Sequence, residues 1–283
     1  MSTFMPLASA RSLLFAPGND ERKLERALAA GSDAVVADLE DAVPPGEKEQ
    51  AREVTSRVLA GRPAETLASV RVNGAGSPFW EDDLRAVDAL EIDALVLPKA
   101  TPEAVAALGP DGPPVVAIVE TARGLKAAYE TAFAPRVAAL VLGAVDLGLE
   151  LGLEPRGDGQ EVLYARSQLV VDSAAAGIRS PFDLVHTDTR DDEGLEAECL
   201  LARSLGFRGK ACIHPAQVEI VNRVFSPTTE EVARAGRVVE AYERAVGDGR
   251  GAVALDGEMI DLPVVERARK VLADTERRAF DDD

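Results

Sequence analysis

Short runs of apolar, mostly β-branched residues recur along the chain, and helix-like stretches separate them. The clearest run is Val115–Val119, which stops at Glu120 before Thr121, Ala122, Arg123 and Gly124 lead into an amphipathic helix. Runs without polar alternation fit parallel strands covered on both faces. Eight are predicted, over residues 12–16, 34–37, 69–72, 94–97, 115–119, 138–142, 180–185 and 210–213. Helical patterns lie between them, including one with Asp20 as its N-cap and one running from Pro215. Strict alternation of eight strand–helix pairs predicts an α/β fold, a closed (β/α)8 barrel. A doubly wound open sheet is the alternative, but no Gly-x-Gly-x-x-Gly follows the first strand.

The barrel is expected over residues 1–226, with a C-terminal extension over 227–283. There, a helix over 229–246 precedes a hairpin turning on Asp256-Gly257, a pair suited to a type I′ turn. Asp261 then stands as N-cap of a last helix opening at Pro263. The hairpin and last helix read as too small to bury a core of their own, so they are expected to dock on the barrel or on a neighbouring subunit.

A barrel of this kind places its chemistry at the carboxyl ends of the strands. The sequence delivers Phe15, Asp38, Glu40, Asp41, Arg71, Asn73, Lys99, Glu120, Asp146 and His214 to that rim. Glu120 and Asp146 end successive strands, and such a carboxylate pair suits Mg²⁺. Each could instead cap the helix that follows. Arg71 could partner the acids after the second strand, and His214, before a proline, could be a loop-bonded histidine. Arg22 and Lys23 fall in the first turn of a helix, where cations oppose the helix dipole and invite an anion.

Composition narrows the partners. Among 283 residues, Lys plus Arg is 31 and Asp plus Glu is 49, so the net charge is 31 − 49 = −18. That argues against nucleic acid and anionic membranes. Cys199 and Cys212 have neither zinc-site spacing nor a disulfide framework, and no apolar run is long enough to span a bilayer. A cytoplasmic protein is expected.

The segments RSLLFAPGNDERKLERA, DAVVADLEDAVPPGEKEQAR, VRVNG, LVLPKA, IVETARG, GAVDLG, GFRGKACIHPAQV and GEMIDLP occur here in one order. In that order they resemble the citrate lyase β-subunit-like proteins of the HpcH/HpaI aldolase–citrate lyase superfamily, which includes malyl-CoA and citramalyl-CoA lyases. The resemblance runs from Arg11 to about Leu272. It implies a (β/α)8 barrel in a trimer or multiple of trimers, with Glu120 and Asp146 holding Mg²⁺, or Mn²⁺ in its place. It implies that Arg71 contacts an oxo-acid or acyl oxygen, and that Phe15, Arg22 and Lys23 line the entrance for a CoA thioester. Asp261 takes the place of the acid/base that lyase members set over a neighbour's site. Val145 departs from the pattern, since members often carry an acid there. The implied activity is Mg²⁺-dependent cleavage or formation of a 3-hydroxyacyl-CoA, with thioester hydrolysis as a possible second reaction. The alternatives are a CoA-independent oxo-acid aldolase and a β subunit that is inactive without companions.

Overall fold

The computed structural model describes residues 5–63 and 66–281. The chain divides into two units, Met1–Phe225 and Ser226–Asp283.

In the first unit, seven strands form one parallel sheet: β1 (Ser12–Pro17), β2 (Ala34–Asp38), β3 (Leu67–Arg71), β4 (Ala94–Leu97), β5 (Val115–Val119), β6 (Val137–Leu142) and β7 (Lys210–Cys212). They lie in the order β6-β5-β4-β3-β2-β1-β7. The seventh predicted strand is corrected. Residues 180–185 form no regular strand, only parallel bridges from Phe182 to Val141 and from Asp183 to Lys210. Pro181 has no N–H to give, so the ladder runs through two residues. Phe182 N–H donates to Leu140 O at 2.9 Å, and Asp183 N–H to Gly209 O at 2.8 Å. These bonds join β6 to β7 and make the sheet a nearly closed TIM barrel.

Two apolar layers explain why the strands lack alternation. In β5, Val115, Ala117 and Val119 join the core under the helices, while Val116 and Ile118 join a second core with Leu13, Val36, Val96 and Phe182. The second core fills the barrel, as such interiors require. Gly209 makes room for Phe182, since a Cβ there would sit 2.7 Å from the ring.

The helices begin where capping predicts. Asp20 Oδ1 accepts from Lys23 N–H at 3.1 Å, and the Thr121 hydroxyl accepts from Gly124 N–H at 2.9 Å. The single helix expected after β5 is two, Ala122–Lys126 and Ala128–Phe133, separated at Ala127.

The second unit pairs a helix over Thr229–Gly247, opened by a Thr228/Glu231 capping box, with a helix over Leu262–Asp281. Between them β8 (Val253–Leu255) and β9 (Glu258–Ile260) form an antiparallel hairpin. Asp256 and Gly257 have φ of 52° and 85°, as a type I′ turn requires. The hairpin and last helix pack on the helix over Thr229–Gly247. Val238, Ile260 and Val265 are buried and pack together. Among the described residues no helix is long and apolar enough to cross a membrane.

Candidate active site

The period of the strands builds the site. Side chains two residues apart share a face. The inward series Val116–Ile118 therefore continues to Glu120, Ala34–Val36 to Asp38, and Ala139–Val141 to Gly143. Phe15 and Arg71 end the inward faces of β1 and β3. The apolar filling thus gives way within one step to charge.

Phe15, Asp38, Asp41, Arg71, Glu120 and Asp146 line one cavity of ≈440 Å³ at this mouth, together with apolar groups such as Ile118, Val145 and Val185. These are six of the ten residues expected at the rim. The lining carries one cation, Arg71, and four carboxylates, Asp38, Asp41, Glu120 and Asp146, so its formal charge is 1 − 4 = −3.

Glu120 is buried. Its Oε1 accepts from Lys99 N–H at 2.7 Å. Burial pushes its carboxyl up to about 7, against the pull of that hydrogen bond, and nearby Glu40 adds to the rise. Asp146 sits in the first turn of a helix over Ala144–Leu151 rather than in a loop.

Arg71 partners the acids after the second strand, one of the readings that the sequence left open. Its Nε and Nη2 donate to the two oxygens of Asp38 at 2.7 and 2.6 Å, a bidentate pair. Nη1 lies 3.1 Å from Glu40 and 3.3 Å from Asp41. The guanidinium also stands 5.4 Å from the Phe15 ring centroid. Nη2 uses one of its two hydrogens on Asp38, which leaves one for a molecule in the cavity.

Arg22 and Lys23 lie outside this lining. They line an adjoining cavity of ≈460 Å³, which shares Pro17 and Ala42 with the first. Lys23 finds its anion in Asp20, at 3.4 Å. His214 Nδ1 accepts from Ala216 N–H at 3.2 Å, the loop-bonded reading. Asp261 belongs to the second unit, where its Oδ1 accepts from Val264 N–H at 3.4 Å as a helix cap.

No group of three or more His, Cys, Asp or Glu side chains is placed to hold a metal ion among the described residues. Glu120 and Asp146 nevertheless fit a magnesium ion, which takes one or two carboxylates and fills its other positions with water and substrate. A buried carboxylate in a cavity of formal charge −3 lacks the compensation that a divalent cation supplies.

The HpcH/HpaI aldolase/citrate lyase family matches residues 11–109 and 110–215 of this sequence. The chain belongs to that family. A second family, the C–C bond lyases of the TIM-barrel fold, matches residues 163–274. A (3S)-malyl-CoA thioesterase of Cereibacter sphaeroides is 40% identical over 271 residues, 94% of each chain. The citrate lyase subunit beta of Leuconostoc mesenteroides is 37% identical, over 93% of this chain and 92% of its own. The crystal structure of CitE from Mycobacterium tuberculosis, in complex with magnesium, acetoacetate and coenzyme A, superposes with a TM-score of 0.82. It is 34% identical, covering 95% of this chain and 99% of that one.

Two features of this HpcH/HpaI barrel had no reading from the sequence. Lys99 follows β4 with φ of 48°, a left-handed conformation rare for lysine. There its N–H reaches Glu120 while its Nζ donates to Glu40 Oε1 at 2.7 Å. Gly143 is the surface against which Glu120 lies. The sequence placed Lys99 at the rim, but nothing in it marked a backbone donor.

Proposed function

We propose that this protein is a Mg²⁺-dependent carbon–carbon lyase. It acts on a 3-hydroxyacyl-CoA such as malyl-CoA or citramalyl-CoA and yields acetyl-CoA and a 2-oxo acid. The observation that carries the reading is the pair Glu120 and Asp146 in a cavity of formal charge −3. An anionic acyl group would be repelled from that lining unless a divalent cation came first. The magnesium and coenzyme A bound by the related CitE, and the thioester substrate in the name of the malyl-CoA thioesterase, support the same chemistry.

Glu120 and Asp146 would hold the ion, which when bound polarises the oxygen that becomes the oxo-acid carbonyl. Lys99 N–H keeps Glu120 in place through Oε1. In the cleavage direction the substrate hydroxyl would pass its proton to water in the cavity. The bond between the carbinol carbon and the thioester α-carbon breaks, and its electron pair moves to the α-carbon as an enolate. The free Nη2 hydrogen of Arg71 faces acyl or oxo-acid oxygen as negative charge develops there. Asp261, from a neighbouring subunit in a trimer or hexamer, would give the enolate carbon its proton. Arg22 and Lys23, in the adjoining cavity, would meet the phosphates of the CoA. Phe15 walls the passage between them.

Thioester hydrolysis is a second reading, favoured by the 40% identity to a thioesterase across 94% of the chain. Incubating the purified protein with malyl-, citramalyl- and citryl-CoA, with and without Mg²⁺, tests both. Release of a 2-oxo acid with acetyl-CoA supports the lyase. Free CoA without oxo acid supports hydrolysis. Turnover that is indifferent to chelation of the metal would sink the Mg²⁺-dependent mechanism.

A further inference from the structure

Lys99 is a lysine where the backbone favours glycine. Among the described residues ten glycines take a positive φ, and only Lys99, Arg136 and Asp256 do so with a side chain. Asp256 belongs to the hairpin turn. Arg136 has φ of 69° and ties its guanidinium to the carbonyls of Leu108, Gly109 and Pro113. The bend in that long cation is held by the far end of its side chain.

Lys99, with φ of 48°, is held in the same way. Its Nζ donates to Glu40 Oε1 at 2.7 Å. Glu40 is buried and is itself pinned at the backbone. Its N–H donates to Asp38 Oδ1 at 2.8 Å, and its carbonyl accepts from Lys48 Nζ at 2.6 Å. Its Oε2 lies 3.1 Å from Arg71 Nη1. Glu40 is therefore a fixed post to which the lysine is moored. The neighbours of Lys99 cannot replace its amide. Pro98 has no N–H, and Ala100 N–H continues the ladder to Ile118 O at 2.9 Å. The Lys99 N–H is the one that turns to Glu120 Oε1, at 2.7 Å. Oε2 of Glu120 is then the oxygen left for an ion.

We infer that Glu40 and Lys99 are positioning residues for the metal acid: the ion pair between them latches the left-handed bend that aims the Lys99 amide at Glu120. This rests on the proposed reading, in which Glu120 holds the ion. The acid that ends β5 is thus set by a carboxylate that follows β2.

Calorimetric titration of Mg²⁺, with pyruvate present as an oxo acid that does not react alone, reads the latch apart from turnover. Lys99→Met keeps the stem and the strained angle but loses the ammonium. With nothing to hold it, the bend should relax and Mg²⁺ binding should weaken by about tenfold. Lys99→Gly loses the ammonium too, but glycine takes this angle without strain. It should bind Mg²⁺ at least about threefold more tightly than Lys99→Met. The two variants remove the same charge, so charge alone predicts equal affinities. It also predicts tighter binding than the parent's, since a cation beside the site repels the ion. Glu40→Gln should weaken binding in the parent by more than in Lys99→Gly, where no latch is left to break. The Lys99 side chain is 48% exposed, so both Lys99 variants are expected to fold and to carry the test whatever becomes of Glu40→Gln. Equal Mg²⁺ affinities in Lys99→Met and Lys99→Gly, or a Glu40→Gln effect of one size in both backgrounds, overturns the latch and leaves the lyase reading standing. No Mg²⁺ binding by the parent protein sinks the lyase reading and the latch with it.

Discussion

Glu120 stands where a side chain on Gly143 would have to be. A Cβ built on Gly143 falls 2.7 Å from Glu120 Oε2 and also collides with the Glu120 Cβ. The two residues end adjacent strands, β5 and β6, so their Cα positions cannot separate. Gly143 has φ of −93°, which alanine adopts without strain. Gly143→Ala therefore acts by contact alone. It should push the Glu120 carboxylate out of place and weaken Mg²⁺ binding by about tenfold or more, roughly 1.4 kcal/mol. The cost to folding should stay within about 1–3 kcal/mol, the usual range for one methyl too many. Calorimetry and a urea melt on one preparation separate the two. Unchanged metal affinity would remove Glu120 from the metal site.

The Arg71–Asp38 pair makes a different prediction. The side chains are 12% and 2% exposed, and the contact is bidentate. Arg71→Met should destabilise the barrel by about 3–5 kcal/mol, because it leaves the buried Asp38 carboxylate with only the N–H groups of Glu40 and Ala42 and no countercharge in the fork. Adding Asp38→Asn to that variant should recover part of the loss. Arg71→Lys keeps the charge but not the fork, and should fall between. If the double variant melts no higher than Arg71→Met alone, the pair is not what holds β2 to β3 at this end.

Most of the barrel was legible because both faces of each strand are apolar, and such runs stand out against charged helices. β4 and β5 fall on the predicted residues. The seventh stave was over-read. Its run is apolar, but Pro181 and the engagement of Asp183 with Arg166 and Lys210 leave it two pairing residues. Glu120 and Asp146 were legible from position at strand ends. Arg71 was legible as a cation near the acids after β2, but not the fork that joins it to Asp38. The Lys99 amide and the room left by Gly143 were not legible, since they depend on a backbone angle and on an approach across strands.

Acid should loosen the barrel where that short stave closes it. Asp183 is fully buried. Burial alone would raise its carboxyl, but Lys210 Nζ at 2.9 Å and Arg166 Nε at 2.9 Å outweigh it and hold it below the usual carboxylate range. A carboxyl whose pKa is lower folded than unfolded stabilises fully above the unfolded value. That contribution fades as pH falls from there through the folded value. Stability from this group should thus be flat from neutral pH to about 5 and decline below about 4. Asp183→Asn should lower stability at pH 7 and flatten the acid limb of the curve. An acid limb as steep in the variant as in the parent would place the titrating group elsewhere.

Asp261 offers the sharpest test of a site shared between subunits. As a helix cap it accepts from Val264 N–H, and asparagine caps as well as aspartate. Asp261→Asn should therefore keep the fold and Mg²⁺ binding while turnover collapses. Glu120→Gln removes the metal acid from the other half of the proposed site. Suppose each site takes Glu120 from one subunit and Asp261 from the next. Equal mixing of the two inactive variants then regenerates intact sites at random in about a quarter of positions. Activity near a quarter of the parent level, appearing only after subunits exchange, is the expected outcome. Native mass spectrometry reports that exchange independently of activity. Mixed oligomers with no activity at all would mean that Asp261 does not complete its neighbour's site.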